Sequence, residues 1–360
     1  MTETTPQTRT FEWTGRTDGP GPEHARWHST VQTAPLEQLL DGAAPAAGQV
    51  PGRDANAQGT DASPAPAGGT AGSGAAAERP AVDLIGFSSD AGVARNKGRV
   101  GAAEGPDALR TGLASLAIRE PRTLTDFGTI VVADDAGLEP GQDRLSDAVA
   151  GSVRRGAVPC VLGGGHETAW GTFRGLRAEL AAKAEQAGTR TPRLGILNLD
   201  QHFDLREEDR PTSGTPFRQI AELLKAAGED FVYGVVGLSE VNNTTAGFET
   251  AEALGVRVLL DVDCTVQAAV RFARELIDSV DALYMTLDLD VLPASVAPGV
   301  SAPAGYGVNL DIIRAVMLEA ARSGKLAGFD VVELNPRFDT DSRTARTAAR
   351  LIDDVVRALA

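Results

Sequence analysis

From residue 82 onward, short runs of apolar and often β-branched residues alternate with longer amphipathic stretches. Continuous apolar runs are typical of strands buried on both faces, and helical spacing of apolar residues is typical of helices that cover a sheet. This alternation predicts an α/β fold with three layers, αβα, around a mostly parallel sheet of about eight strands. The predicted strands are 82–87, 128–133, 158–162, 193–199, 231–236, 256–259, 283–287 and 328–333. The predicted helices are 143–155, 168–187, 217–227, 265–280, 309–323 and 341–358.

The chain divides into three parts before any site is considered. Residues 1–40 contain Trp13 and Trp27 and are expected to dock on the main domain. Residues 41–80 hold 30 Ala, Gly, Pro, Ser or Thr and no aromatic residue, so we expect a flexible low-complexity insertion. Residues 81–360 are long enough to form one catalytic domain with its own core.

Charge and composition exclude several classes of protein. The 360 residues carry a net charge of −15, which repels phosphate backbones and argues against a nucleic-acid partner. No apolar run approaches the ~20 residues of a membrane span, and the first residues lack a signal-peptide pattern. Two cysteines cannot form a disulfide framework, which favours the reducing cytoplasm.

Polar residues directly follow three of the predicted strands, where ligands of open α/β sheets bind. His166 follows three glycines after 158–162, and Asp200-Gln201-His202-Phe203-Asp204 follows 193–199. Asp288 and Asp290 follow 283–287. Taken singly, an Asp-x-Asp pair is more often a turn or helix cap, and a lone His a loop residue. Together they include both histidines of the main domain, which favours a functional site.

The spacing of these residues predicts a binuclear metal site. In extended chain, residues i, i+2 and i+4 project to the same side, so Asp200, His202 and Asp204 form one row. Two imidazoles and four carboxylates are too many ligands for one tetrahedral zinc and suit a pair of ions such as Mn²⁺. Two divalent ions also balance the clustered carboxylates.

Other residues have plainer interpretations. His24 and His28 lie in the N-terminal segment and are expected to be surface or docking residues. Cys160 and Cys264 have no adjacent His, so a cysteine nucleophile is disfavoured. The Gly163–Gly165 run is not followed by the Lys-Ser/Thr of a phosphate-binding loop.

These motifs resemble those of the ureohydrolase (arginase/agmatinase) family. The matching segments are Gly-Gly-Gly-His at 163–166, Asp-x-His-x-Asp at 200–204, Asp-x-Asp at 288–290, Ser-Gly-Thr-Pro-Phe at 213–217 and Glu-Leu-Asn-Pro at 333–336. Longer strings at 13–18, 96–110, 202–206 and 297–303 are similar to the branch that hydrolyses N-formimidoyl-L-glutamate in histidine degradation. The similarity covers residues 11–40 and 82–358.

The resemblance implies two Mn²⁺ ions and a hydrolytic reaction. His166, Asp200, Asp204 and Asp288 would hold the first ion. Asp200, His202, Asp288 and Asp290 would hold the second, with Asp200 and Asp288 bridging. Glu333 would hold the cationic amidine of the substrate, and Asp204 could carry a proton to the leaving amine. The products would be L-glutamate and formamide.

Three positions depart from the family pattern. Gln201 stands where Ala is common, and the side chain must find room on the side away from the metals. Asp290 is followed by Val291-Leu292-Pro293 rather than by the third Asp of arginases. Phe217 occupies the position of the arginase proton-shuttle His. The last two departures argue against arginase more than against metal binding.

A dicarboxylate amidine requires cations or amide donors at the mouth of the crevice. Arg206 is the first candidate; Asn96, Arg99 and Arg218 follow, and Ser213 belongs to a family-like segment. The family resemblance also implies a homo-oligomer, a trimer or a hexamer. The alternatives are another amidine or guanidine hydrolase (guanidinobutyrase, agmatinase or arginase) or, from another class, a non-catalytic metal-dependent scaffold or sensor. A cationic substrate would favour acids rather than arginines at the mouth.

Overall fold

A computed structural model describes residues 7–41, 79–120 and 122–360. The strands are β1 (Gln7–Arg9), β2 (Gln32–Thr33), β3 (Val82–Ser88), β4 (Leu124–Val131), β5 (Val158–Gly163), β6 (Leu194–Leu199), β7 (Tyr233–Leu238), β8 (Arg257–Leu260), β9 (Ala282–Asp288) and β10 (Leu326–Val332). The helices are α1 (Trp27–Thr30), α2 (Glu37–Leu40), α3 (Ala91–Arg95), α4 (Gly105–Ala114), α5 (Leu138–Arg154), α6 (Thr168–Ala187), α7 (Pro216–Ala227), α8 (Thr245–Ala253), α9 (Val266–Asp278), α10 (Leu310–Arg322) and α11 (Arg343–Ala358).

The strands form one twisted sheet in the order β1-β4-β3-β5-β10-β9-β6-β7-β8, and β2 also pairs with β4. Every pairing is parallel except that of β1 with β4. The prediction of a mostly parallel sheet of about eight strands is confirmed, because β3 to β10 are the eight predicted strands. The short β1 and β2, which the sequence did not indicate, add two more at one edge.

Two apolar cores lie on opposite faces of this sheet. Side chains alternate across each strand, so Leu283 and Met285 of β9 enter one core while Ala282 and Tyr284 enter the other. The first core is completed by α4, α9, α10 and α11, and the second by α5, α6, α7 and α8. Both faces are therefore covered, which is why the strand sequences are apolar throughout.

Residues 7–41 pack against the main body. Trp27 is buried, and its Nε1 donates a hydrogen bond of 2.9 Å to Asp353 of α11. Trp13 Nε1 donates to Asp126 at 2.8 Å, and the same carboxylate binds the buried Arg110. The predicted insertion at 41–80 lies almost wholly outside the described residues, so the three-part division of the chain stays a prediction. Among the residues described, no helix has the length and apolar character needed to cross a bilayer.

Candidate metal and substrate site

Four adjacent strands at the middle of the sheet deliver polar side chains to one edge. In the order β5-β10-β9-β6, their carboxyl ends lead into His166, Glu333, Asp288 and Asp200 respectively. Because parallel strands end at the same edge, residues far apart in sequence meet there. The site is thus built on central strands of the sheet.

The first ligand group surrounds the ring of His166. Its Nδ1 lies 2.9 Å from Asp204 Oδ2 and 3.2 Å from an oxygen of both Asp200 and Asp288. These four side chains each place a ligand atom within 4.8 Å of the others, close enough to hold one metal ion. On the far side of the ring, Nε2 is 3.1 Å from the hydroxyl of Thr286. Contacts of this kind fix the orientation of a metal-binding imidazole.

The second ligand group contains Asp200, His202 and Asp290. His202 Nδ1 lies 3.2 Å from Asp290 Oδ2 and 3.5 Å from Asp200 Oδ1. Asp200 belongs to both groups, as expected of a bridging ligand, whereas Asp288 falls in the first group alone. The two groups differ in access, since the His166 side chain is 1% exposed and that of His202 is 22% exposed.

Two carboxylates of the cluster are held by the backbone that follows them. Asp200 Oδ1 accepts a hydrogen bond of 2.7 Å from the N–H of His202, and Asp288 Oδ1 accepts one of 2.8 Å from that of Asp290. Each bond closes a tight turn at the end of a strand. The Asp-x-His and Asp-x-Asp spacings therefore orient the ligands as well as supplying them.

The electrostatics of the cluster fit divalent cations. Burial, reinforced by the charges of Asp290 and Asp200, raises the pKa of Asp288 well above its ordinary value. Burial lowers the pKa of His166, but the carboxylates around the ring outweigh it and raise that pKa. Asp290 Oδ1 is buried and has no hydrogen-bond donor in the described part of the chain. Carboxylate oxygens and imidazoles in this number suit six-coordinate ions such as Mn²⁺.

The glycines before His166 allow close packing of backbone around the cluster. A Cβ on Gly164 would lie 1.8 Å from the carbonyl oxygen of Ser89, and one on Gly165 would lie 2.1 Å from Glu167 Oε2. Gly165 N–H in turn donates to Ser89 at 2.9 Å. The run is therefore a close-packing device, in agreement with the interpretation that it does not bind phosphate.

Glu333 lies beside the ligands in a strained backbone conformation. Its φ is +67°, a region that L-residues other than Asn and Asp seldom adopt. Oε1 accepts a hydrogen bond of 2.9 Å from the N–H of His166, whereas the buried Oε2 has no donor among the described residues. Burial, with the charge of Glu167 next, raises the pKa of Glu333 to about 8. A cationic group bound at Oε2 would give this oxygen a donor and would favour the ionised form of the carboxyl.

Asp204 is the second site residue with a left-handed backbone, at φ +49°. Its carbonyl oxygen accepts a hydrogen bond of 3.2 Å from the N–H of Phe217 at the start of α7. The Phe217 ring stands edge-on to the His166 ring, with centroids 5.3 Å apart, and stacks on Tyr233. A phenyl ring cannot donate a proton, so this position cannot serve as the acid of the reaction.

Arg206 and Asn96 form a hydrogen-bonded chain at the mouth of the crevice. Arg206 Nη1 donates to Asn96 Oδ1 at 2.9 Å, and Asn96 Nδ2 donates to Ser213 Oγ at 3.0 Å. All three side chains line the crevice together with the metal-ligand cluster. The structure therefore brings these three predicted substrate residues to the predicted place.

The other two predicted arginines behave differently. Arg99 lines the crevice, but its guanidinium donates to the carbonyls of Ser301 and Val300 at 2.8 and 2.5 Å and stacks on a ring 3.9 Å away. Arg218 is not among the lining residues, because its guanidinium pairs with Glu222 at 2.6 Å and Glu207 at 3.5 Å. The structure thus does not bring Arg218 together with the other site residues.

Two residues near the site were not singled out from the sequence. Lys97 lines the crevice, and a Lys beside the predicted Asn96 could have been noticed. Glu167 follows His166 and is fully buried, and its Oε1 accepts from Ser89 Oγ and Gly92 N–H at 2.8 and 2.9 Å. Nothing in the sequence around Glu167 indicates that its side chain would be buried and hydrogen-bonded beside the cluster.

The departures at 201 and 293 are accommodated. Gln201 is buried, donates to the carbonyl of Ala302 at 2.5 Å and accepts from Asn242 at 2.7 Å. Burial raises the pKa of Asp290, and the Gln201 amide is among the groups that oppose it, so the amide is not wholly turned away from the cluster. Val291 and Leu292 are buried in the apolar core, and the carbonyl of Pro293 accepts hydrogen bonds from the N–H groups of Val296 and Ala297 at 2.8 and 2.9 Å.

The remaining histidines and the cysteines lie away from the crevice. His28 Nδ1 is 2.9 Å from the carbonyl of Ala114, as expected of a docking residue, and His24 is 3.6 Å from Glu23. Cys160 is buried in β5, and burial raises the pKa of the Cys264 thiol to about 12. Neither thiol is placed as a nucleophile.

Comparison with known proteins agrees with this geometry. The family model described as "Arginase family" matches residues 80–357. Formimidoylglutamase from Rhodococcus jostii is 50% identical over 96% of this chain and 94% of its own length, and that from Ralstonia nicotianae is 44% identical over 96% and 94%. The crystal structure of Trypanosoma cruzi formiminoglutamase with Mn²⁺ has a TM-score of 0.69 and 25% identity, covering 79% of this chain and 95% of the other. The chain belongs to the arginase family, and it is a hydrolase of C–N bonds.

Proposed function

We propose that this protein hydrolyses N-formimidoyl-L-glutamate to L-glutamate and formamide, with two Mn²⁺ ions bound per chain. One observation carries the proposal: Glu333, whose buried Oε2 has no donor among the described residues, borders the metal-ligand cluster in a crevice lined by cations. Relatives that bear the name of this activity align over nearly the whole chain. In this proposal the metals would act at the formimidoyl carbon, Glu333 would bind the protonated amidine, and the cations at the mouth would bind the carboxylates of the substrate.

His166, Asp200, Asp204 and Asp288 would hold the first ion. Asp200, His202, Asp288 and Asp290 would hold the second, with Asp200 and Asp288 shared. When bound, two such ions supply an activated water, because coordination lowers the pKa of water from 15.7 toward about 7. The burial of the cluster strengthens the interaction of each carboxylate with the ions.

Glu333 orients the substrate in this proposal. Its Oε1 is fixed by the N–H of His166, which leaves Oε2 to accept from the protonated amidine. The positive charge of the amidine favours the ionised form of this buried carboxyl. The formimidoyl carbon is then held next to the metal ligands in one orientation, which lowers the entropic part of the barrier.

Asp204 carries the proton in the second half of the reaction. Water adds to the formimidoyl carbon, and the bond from that carbon to the glutamate nitrogen breaks. The leaving nitrogen takes up a proton, for which Asp204 is placed because it is partly open to the crevice. Phe217 cannot replace it. The atoms balance as one amidine and one water giving one amine and one formamide.

The rim of the crevice favours an anionic substrate. Arg206 has no carboxylate within 4.0 Å in the described part of the chain, although the protein has a net charge of −15. An uncompensated guanidinium attracts the carboxylates of formimidoylglutamate and repels the cationic tail of agmatine. The same rim argues against arginase and agmatinase activities.

The test is a panel of substrates with identification of the products. We expect purified, Mn²⁺-loaded protein to release formamide and glutamate from N-formimidoyl-L-glutamate and no urea from arginine, agmatine or 4-guanidinobutyrate. Protein treated with a chelator is the control, and activity should return with Mn²⁺. Urea without turnover of formimidoylglutamate would keep the family and refute the substrate. Absence of both metal binding and hydrolysis would favour a non-catalytic scaffold.

Assembly and location complete the proposal. We propose a homo-oligomer, a trimer or a hexamer, in the cytoplasm; the support is the family membership and a composition with two unpaired cysteines. Light scattering coupled to size-exclusion chromatography measures the oligomer directly. A monomer at micromolar concentration would refute it.

A further inference from the structure

Three cations line the crevice, and they differ in what already holds them. We propose that Lys97 and Arg206 form a two-point clamp, each binding a different carboxylate of the substrate. This rests on the proposed function, because it names the residues that distinguish a dicarboxylate from other amidines. Lys97 is the new member of the site, since neither the family motifs nor the predicted contacts assign it a role.

Arg99 is unsuited to the clamp because its donors are occupied. Its Nε and Nη2 reach the carbonyl oxygens of Ser301 and Val300, and its guanidinium stacks on Phe338. Its backbone N–H also donates to Ser301 Oγ at 2.9 Å. Arg99 therefore fixes the loop that carries Lys97 against the loop at 300–301, and it is a positioning residue.

Arg206 has one nitrogen held by a partner and two without an acceptor in the described part of the chain. Its Nη1 is held by Asn96, which is held in turn by Ser213, so the guanidinium is oriented by neutral partners. Nε and Nη2 have no acceptor in the described ranges. A planar fork with free donors is suited to one carboxylate.

Lys97 stands where a glycine would ordinarily be found. Gly98 N–H donates to the carbonyl of Val93 and Lys97 N–H to that of Ala94, at 2.8 and 3.0 Å, which is the paired hydrogen bonding that ends many helices. The residue at this point of the motif takes a left-handed backbone, and Lys97 has φ +61°. Glycine is favoured there because a Cβ costs about 1 kcal/mol in this region.

The side chain of Lys97 gains no polar contact from this backbone conformation within the described part of the chain. Across residues 7–41, 79–120 and 122–360, the ammonium of Lys97 has no hydrogen-bond acceptor and no carboxylate within 4.0 Å. Lys97 is exposed and lines the crevice, and residues held in sparsely populated backbone regions cluster at functional positions. Asn96 directly precedes Lys97 and accepts a hydrogen bond from Arg206. The end of α3 therefore brings both cations to the mouth of the same crevice.

The backbone conformation offers an unusually clean test. Lys97→Gly removes the ammonium and suits the left-handed turn, so the variant should fold at least as well as the original chain. Lys97→Met removes the charge and keeps the length of the side chain. Lys225→Met is the matched control, because Lys225 is an exposed lysine near the end of α7 and outside the crevice. Arg206→Ala probes the other half of the clamp.

The substrates are N-formimidoyl-L-glutamate and two analogues with a single carboxylate, N-formimidoyl-L-norvaline and 4-(formimidoylamino)butanoate. We expect Lys97→Gly and Lys97→Met to raise KM for the dicarboxylate about tenfold, with kcat changed less than about twofold, because one charge-assisted hydrogen bond is lost in binding. One of the two analogues should be unaffected by the Lys97 variants, and the other should be unaffected by Arg206→Ala. Metal content should remain that of the original chain.

Two results overturn the clamp. One is an unchanged KM for the Lys97 variants. The other is an equal rise for all three substrates or a loss of metal, since Lys97 would then only offset the charge of the ligand carboxylates. Calorimetric binding of L-glutamate to the Mn²⁺-loaded protein separates this from the proposed function. If the original chain does not turn over formimidoylglutamate, that function fails, while weaker glutamate binding by Lys97→Gly supports the clamp and equal binding refutes it.

Discussion

The amino ends of the strands (the amino edge) and their carboxyl ends (the carboxyl edge) differ in whether the cations there are paired with acids. At the amino ends of the strands, a groove carries three arginines, and each has an acid as partner. The pairs are Arg177 with Glu229 at 3.0 Å, Arg190 with Asp281 at 2.6 Å and Arg193 with Asp230 at 2.8 Å. At the carboxyl ends, Lys97, Arg99 and Arg206 line a crevice and none has a carboxylate within 4.0 Å in the described part of the chain.

The difference separates cations that serve the fold from cations that are free to bind a ligand. A paired surface arginine has little binding capacity left and contributes about 0–1 kcal/mol to stability. The cations that line the crevice do not pair with its acidic cluster. Arg99 and Arg206 are held by neutral partners, whereas the Lys97 ammonium has no acceptor among the described residues. Pairing, rather than position in a groove, indicates which edge acts on a substrate.

The largest effect is expected where carboxylates are clustered. Asp288→Asn should reduce activity by about 10³-fold and lower the bound metal, because a proposed shared ligand would lose its charge. Asp281→Asn removes a carboxylate from the amino edge and should leave both quantities unchanged. Metal content measured by plasma emission and initial rates check the pair. An Asp288→Asn protein with full metal and near-original activity would show that the cluster is not the metal site.

The next effect concerns an acid of the amino edge that is poorly paired. Asp83 of β3 is buried, with Ser152 Oγ at 2.8 Å, Arg155 Nε at 3.7 Å and no donor to Oδ1 in the described residues. Burial raises the pKa of Asp83 from 3.8 to about 6. Because the folded protein favours the protonated acid, this residue lowers the free energy of unfolding as pH rises from about 4 to above 6, by about 3 kcal/mol in full.

Asp83→Asn should therefore stabilise the protein at pH 8 and have less effect near pH 4.5. Urea unfolding of the metal-free chain at the two pH values measures the difference, and activity at pH 8 should not change. If Asp83→Asn lowered the free energy of unfolding at pH 8 more than at pH 4.5, the expected cost of a buried charge at Asp83 would be contradicted. Ser152→Ala is a control that removes the hydroxyl and keeps the carboxylate.

The smallest effect tests the comparison most directly. Arg206→Ala should raise KM about tenfold, because a charge-assisted hydrogen bond to substrate is lost, with metal content unchanged. Arg193→Ala, at the other edge, should leave KM and kcat unchanged. Steady-state kinetics on formimidoylglutamate decide the matter. Equal KM values for the two variants would show that Arg206 does not bind the substrate. The difference between paired and unpaired cations at the two edges would then have no functional meaning.

Much of this arrangement was readable from the sequence because periodicity and spacing are local. Apolar runs located the strands β3 to β10 to within a few residues, and the Asp-x-His-x-Asp and Asp-x-Asp spacings indicated the side chains that cluster as candidate metal ligands. Five helices were missed: α1, α2, α3, α4 and α8. Of these, α3 is only five residues long, and α4 begins with Gly105-Pro106, which reads as a turn although proline suits the first turn of a helix.

Features set by distant parts of the chain could not be predicted. The Glu222 partner of Arg218 is four residues away on one helix and was visible in principle, whereas Glu207 comes from a loop. The pairing of β2 with β4 rests on two exposed residues, Gln32 and Thr33, that carry no strand pattern. The left-handed backbone of Glu333 runs against the preference of the residue itself, whereas Asp204 is of a type that adopts this region more often.

Those backbones have a consequence for laboratory evolution. Lys97, Asp204 and Glu333 all adopt φ values between +49° and +67°, where glycine is the more comfortable residue. A library screened only for survival after heating would be drawn toward glycine at these three positions, and each such gain would remove a group from the crevice. Screens for a hardier catalyst should therefore hold these codons fixed and seek improvement at the amino edge.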